Sequence, residues 1–328
     1  MERNILADKL KGYACFLVLF GHVIMGIRLS GIYIPSFFEG MEKFIWSFHV
    51  ALFLFLSGVV YKLTGEWRGK ETKTKFILHK LLNLGVPYVT FSVIYILINS
   101  MVGAANTQSS VYDVLNIWKA PVAQYWYLYA LFFLFCIWTL LSGILENYVI
   151  TIFTVGIAYI VPLTGLSLGC FEVVFYSALA FGVGTFVDFS KLDKPSPVVK
   201  ILIIALHIIV SVIFIKLDLT EAHFIKELLI LFGIYASIMF ISLIHNMKFV
   251  SDFLNFINKY SFQIYLLHTI FTAGIRIILI RLNVNGWVVH IVAGTLCGIV
   301  FSVLAAIIAK KTKFLNFFFF PSKILKGR

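Results

Sequence analysis

Tyr13–Leu29 reads YACFLVLFGHVIMGIRL. As a helix this run is about 26 Å long, close to the roughly 30 Å hydrocarbon core of a bilayer. It is too long for the apolar part of a signal peptide, and no small-residue cleavage pattern follows it, so it reads as a retained first helix. His22 falls near its middle. A titratable group at that depth is expensive and is a functional suspect by default.

The same kind of block recurs along the chain. Of 328 residues, 61% are hydrophobic and 13% are charged, against about half and a quarter in a soluble protein. The blocks predict an all-α polytopic integral membrane protein of about ten transmembrane helices. They are placed near 11–29, 44–62, 81–100, 125–142, 148–163, 171–187, 199–215, 227–244, 260–280 and 287–309. The fifth is short and blurred by Gly143, Pro162 and Gly165. No polar stretch exceeds about 25 residues, so 1–328 reads as a single transmembrane domain with no separate soluble domain.

The net charge is +12 and the pI is near 9.5. With the N-terminus inside, 20 of the 27 basic residues fall on cytoplasmic segments. That is the bias of the positive-inside rule, and an even number of spans puts both termini in the cytoplasm. The basic excess is accounted for by anionic membrane lipid, so no nucleic-acid partner is expected; an anionic cytoplasmic cofactor suits the same surface. Cys15, Cys136, Cys170 and Cys297 lack metal-ligand spacing and read as small packing residues, with no metal site implied.

Two connections stand out. The cytoplasmic loop 63–80 carries Arg68, Lys70, Lys73, Lys75 and Lys80. The outer loop 101–124 is polar, with Asn106 and Gln108, and leads into Trp118, Tyr125, Trp126, Tyr127 and Tyr129. Such aromatics mark a headgroup boundary, or stack on a sugar ring. Pro87 predicts a kink in the third helix. Phe314–Phe320, between lysines, predicts a short segment along the inner leaflet.

Three constellations carry possible chemistry. Lys11 and His22 are 11 residues apart, close to three helical turns, so they share a face with about 16 Å of rise between them. That suits a ligand with an anionic head and a reactive tip; a snorkelling lysine and an interhelical histidine fit the spacing too. The second constellation is His49, within about two turns of the outer end of helix two, with Ser57 and Gly58 permitting close helix approach. The third is Ser261, Tyr265 and His268 on one face, extended outward by Arg276. A buried guanidinium keeps its charge and needs a carboxylate, water or an anion; a structural hydrogen-bond network is the plainer account of this stripe. Glu39 and Glu42, in the first outer loop, are placed to face a polar substrate, while solvation explains Glu172 at the start of the sixth helix.

Four stretches carry a resemblance. They are Asp8–Ala14 followed by Leu19–His22, Phe48–Phe53 leading to Leu56–Gly58, Lys80–Leu82 through Pro87–Tyr88, and Tyr260–His268. In order and spacing they resemble the membrane acyltransferase-3 family, carbohydrate O-acyltransferases of the cell envelope. The resemblance implies an O-acetyltransferase in the cytoplasmic membrane of a bacterium, with acetyl-CoA as donor and a hydroxyl of a surface carbohydrate or lipid-linked glycan as acceptor. It implies catalytic roles for His22 and His268. Donor binding would fall to Lys11, Arg68, Lys73, Lys75 and Lys80. Substrate or electrostatic roles would fall to His49, Ser57, Ser261, Tyr265, Arg276 and Glu39. Lys11 stands where the family pattern has arginine, so the charge is kept and the bidentate fork is lost. The esterase-like extracellular domain of some members is absent from this sequence. An exporter or transporter of a polysaccharide or lipid-linked precursor is the alternative, and a merely ligand-binding membrane protein is a third. Oligomeric state leaves no sequence signal.

Overall fold

The computed structural model describes residues 5–102, 109–145, 147–164, 168–220 and 222–322. The outer-loop residues Asn106 and Gln108 lie outside them. The described chain is helical: α1 (Ile5–Leu29), α2 (Ser36–Trp46), α3 (His49–Thr64), α4 (Lys70–Lys80), α5 (Val86–Met101), α6 (Trp126–Leu140), α7 (Ser142–Leu145), α8 (Tyr148–Leu163), α9 (Glu172–Phe186), α10 (Pro197–Lys216), α11 (His223–Ile244), α12 (Lys248–Lys259), α13 (Ser261–Arg281), α14 (Trp287–Lys310) and α15 (Lys313–Phe319). Among the described residues nine helical stretches are long and apolar enough to cross a bilayer, so the chain is a polytopic integral membrane protein.

The expected fifth span is a helix, α8, but its 16 residues fall short of that length. The second span is broken: α2 ends at Trp46 and α3 begins at His49, with Ser47 and Phe48 in a turn. The stretch read as loop 63–80 is helical from Lys70 onward, because α4 runs through a π-helical turn, Leu81–Gly85, directly into α5. Pro87 follows the π-helical turn inside this continuous helix, so the wide turn lies where proline's missing N–H breaks the regular bonding. The connection after residue 244 holds α12, an amphipathic helix that buries Leu254 and Ile257 and exposes Phe249.

Exposure is inverted as lipid requires. On α10 the exposed Ile201, Leu202, Leu206, Ile209 and Ile213 are apolar, while the buried residues are His207 and Ser211. Unpaired polar groups are not tolerated against hydrocarbon, so polar side chains turn inward.

The chain divides into two compact units, Met1–Phe53 with Asp188–Ala305, and Leu54–Val187 with Ala306–Arg328. In the first, α1 packs against α2, α11, α12 and α13. Gly12 admits the Leu254 carbonyl of α12 against the α1 backbone, and Gly294 and Gly298 of α14 lie against Val23 and Leu19 of α1. At the edge of this unit, Ser190 and Lys191 hold the exposed Asp188 carboxyl down at about 2 by hydrogen bonding and charge.

In the second unit α3 and α9 cross at reciprocal glycines. A Cβ on Gly58 would strike the Phe181 carbonyl, and one on Gly184 the Phe55 carbonyl. Beside the crossing Tyr61 stacks on Trp67 at 5.1 Å and 9°, and Phe135 and Phe181 pack edge to face at 5.5 Å. Phe319 of α15 packs on Phe91 of α5, and Ser322 bonds His79 at 3.1 Å.

Candidate active site

At the break between α2 and α3 the Ile45 carbonyl accepts from the Phe48 N–H at 3.3 Å in place of the regular helical bond. His49, the first residue of α3, adds a second donor: its Nδ1 donates to the Ile45 oxygen at 2.8 Å. His268, in the second turn of α13, does the same at 2.8 Å to Ile264 and 3.0 Å to Tyr265. A carbonyl only accepts, so Nδ1 carries the hydrogen in both rings and Nε2 presents a lone pair. Each of these Nε2 atoms is buried and has no hydrogen-bond partner among the described residues.

His22 joins them. Its ring centroid lies 5.0 Å from that of His268 and 5.1 Å from that of Trp46. Trp46 in turn meets His49 edge-on at 4.8 Å and 90°. Four rings from α1, α2, α3 and α13 thus form one cluster within the first unit. His22 is half-buried whereas His49 and His268 are buried, so the reachable imidazole is the one on α1. Trp46 is 38% exposed. Sequence reasoning passed over it; the available signal was a tryptophan three residues before a histidine.

Arg276 approaches the same face of α1. It is buried, and its Nη1 occupies the space that a Cβ on Gly26 would need. Gly26 is one turn beyond His22, so the guanidinium is held about 6 Å along the helix from that position. His268 and Arg276 both lie on the buried side of α13, which continues through Thr272. Tyr265 is buried on the same helix, and the Ser261 carbonyl accepts from Cys15 Sγ at 3.5 Å.

The acids stand apart from the rings. Glu42 is buried and takes a forked pair from Arg28, 2.9 Å at Nε and 2.7 Å at Nη2. Glu39 is exposed. Among the described residues no group of three or more His, Cys, Asp or Glu side chains could hold a metal ion.

The basic candidates separate by environment. Lys11 is half-buried on α1. Lys9 is the more buried lysine, its Nζ donating to the His245 carbonyl at 2.6 Å. In the second unit Arg68 lies over the Trp67 ring, and the Lys80 ammonium lies 4.3 Å from the Phe135 ring centroid and 4.9 Å from that of Phe76. Lys73 is half-buried and Lys75 exposed. Ser57 meets the Tyr127 hydroxyl at 3.3 Å within that unit.

A further buried histidine escaped sequence reasoning. His207 of α10 is enclosed by Phe44, Phe48 and Phe232, with centroids 5.1, 5.5 and 5.2 Å away. Its Nδ1 lies 3.5 Å from the Ser211 hydroxyl. Apolar rings on three sides make it a packing group.

The acyltransferase-3 family, described as an acyltransferase domain, matches residues 7–307 of the chain. No curated protein and no solved structure matches it.

Proposed function

The chain belongs to the acyltransferase-3 family, and from that premise we propose that it transfers an acetyl group from acetyl-CoA to a hydroxyl of a cell-envelope carbohydrate. The observation that carries the reading is the pairing of His22 with His268 at 5.0 Å, one ring reachable and the other fixed in tautomer. A nucleophile and an oriented base within reach of one another are what two-step acyl transfer requires.

In the proposed mechanism an imidazole nitrogen of His22 attacks the thioester carbonyl. The C–N bond forms, the C–S bond breaks, and the ring proton leaves with the CoA thiolate as the thiol. The acceptor hydroxyl then attacks the acyl carbon. Its proton passes to His268 Nε2 and from there to the His22 nitrogen as the C–N bond breaks, which returns both rings to their neutral forms. Arg276, held over Gly26, offers positive charge to the oxyanion of either tetrahedral intermediate. The N-terminus is proposed to be cytoplasmic, in the inner membrane of a bacterium, with Lys11 meeting the donor phosphates. Arg68, Lys73, Lys75 and Lys80 are likewise proposed to bind the anionic donor.

The test is His22→Ala. Acetylation of envelope glycans, followed by mass spectrometry, is expected to disappear while the variant remains inserted and monodisperse in detergent. Transfer at the wild-type rate would remove His22 from the chemistry. Movement of glycan across vesicles with no acetyl ester formed by the wild type would favour an exporter instead.

A further inference from the structure

The proposed chemistry uses His22, His268 and Arg276 and leaves His49 and Trp46 without a task. His49 is 1% exposed, its Nδ1 is committed to Ile45, and its Nε2 lone pair has no donor among the described residues. His268 Nε2 is in the same state. His207 Nε2 is bare too but stands alone among phenylalanines; two bare acceptors in one ring cluster are costly together and point to a molecule that brings hydrogen to them. The reacting thioester brings none. A cation is disfavoured, because Glu42 is committed to Arg28 and the charge packed on α1 from α13 is the Arg276 guanidinium. What remains is a neutral molecule with two O–H donors.

Trp46 meets the His22 and His49 rings edge to face at 5.1 and 4.8 Å, His22 in turn meets His268, and 38% of Trp46 stays open. A partly open indole beside hydrogen-bonding rings suits the apolar C–H face of a ring that carries hydroxyls on neighbouring carbons.

We infer that His49 is a specificity-determining residue for the acceptor. One hydroxyl donates to His268 Nε2 and reacts; a neighbouring hydroxyl donates to His49 Nε2 and does not; the carbon skeleton between them lies on Trp46. The site therefore selects a ring diol over a simple alcohol. This rests on the acyl-transfer reading for which hydroxyl reacts, but the diol subsite itself does not require that reading.

The test uses the purified full-length protein in lipid vesicles, with acetyl-CoA and either trans-cyclohexane-1,2-diol or cyclohexanol. Ester formation is read by mass spectrometry. The wild type is expected to prefer the diol about tenfold or more, the discrimination that one lost hydrogen bond to a buried acceptor supports. His49→Phe keeps a ring beside Trp46 but no acceptor, and should bring the ratio near one. His49→Gln restores an acceptor oxygen and should recover part of the preference. Equal rates for the two alcohols in the wild type, or an unchanged ratio in His49→Phe, would overturn the inference and leave acyl transfer standing. Should neither alcohol be acetylated, saturation-transfer NMR of the diol decides. Binding that depends on His49 keeps the subsite and defeats the acyl-transfer reading; binding indifferent to His49 defeats both.

Discussion

Two helix crossings use glycine for opposite ends. Where α3 meets α9, Gly58 and Gly184 each give way to a carbonyl of the other helix. Where α1 meets α13, Gly26 gives way to the Arg276 guanidinium. Backbone against backbone is rigid and closes the gap, as small residues do between membrane helices. Backbone against a long side chain leaves a charge in the interior and one flexible partner. The first crossing holds helices together; the second makes room for a guanidinium. One residue type supports either outcome, and the neighbour decides.

The contrast is sharpest under substitution. Gly58→Leu drives a side chain into the Phe181 carbonyl, which cannot move aside; overpacking of this kind costs about 3 kcal/mol or more. Little folded protein should be recovered in a detergent-stability assay, and full recovery would show that the crossing is not rigid. Arg276→Lys keeps a charge but loses the planar fork. Transfer should fall about 100-fold with no loss of folded protein, in line with removal of one oxyanion donor. A rate near wild type would mean that Arg276 only packs. Gly26→Ala displaces the end of a flexible side chain, so the protein should fold while transfer drops roughly tenfold, about 1.4 kcal/mol in barrier. Should it instead unfold as Gly58→Leu does, the two crossings are alike after all. Ser57→Ala removes a 3.3 Å contact with Tyr127. It should cost about 1 kcal/mol or less and leave transfer unchanged. A large loss of transfer there would move Ser57 into the chemistry.

Helical periodicity is strict, so the shared buried side of residues 268 and 276 follows from spacing alone, as does the place of His22 within α1. What meets His22 there was not legible. Nothing in 44–62 announces that the helix stops at Trp46 and restarts at His49, because Ser47 and Phe48 are both tolerated within helices. With the break unseen, Trp46 and the Ile45 carbonyl had no evident role. Charge misled in two places. The lysines of 70–80 suggested a loop, yet α4 is helical there, and the lysines bounding 248–259 hid an amphipathic helix whose Leu254 supports Gly12. Lys9 and Lys11 are indistinguishable by composition; burial separates them, and it is Lys9 that is spent on the His245 carbonyl. The span count rested on apolarity, which α8 has, rather than on length, which it lacks.

The π-helical turn Leu81–Gly85 takes up one residue more than a regular α turn between α4 and α5. A one-residue deletion within it closes the wide turn and leaves α4 close to its present phase, so Lys80 stays by Phe135 and His79 by Ser322. The same deletion in the regular helix of α5 has no such slack and turns everything upstream by about 100°. Loss of one residue is therefore expected to be tolerated within 81–85 and nowhere else along this helix.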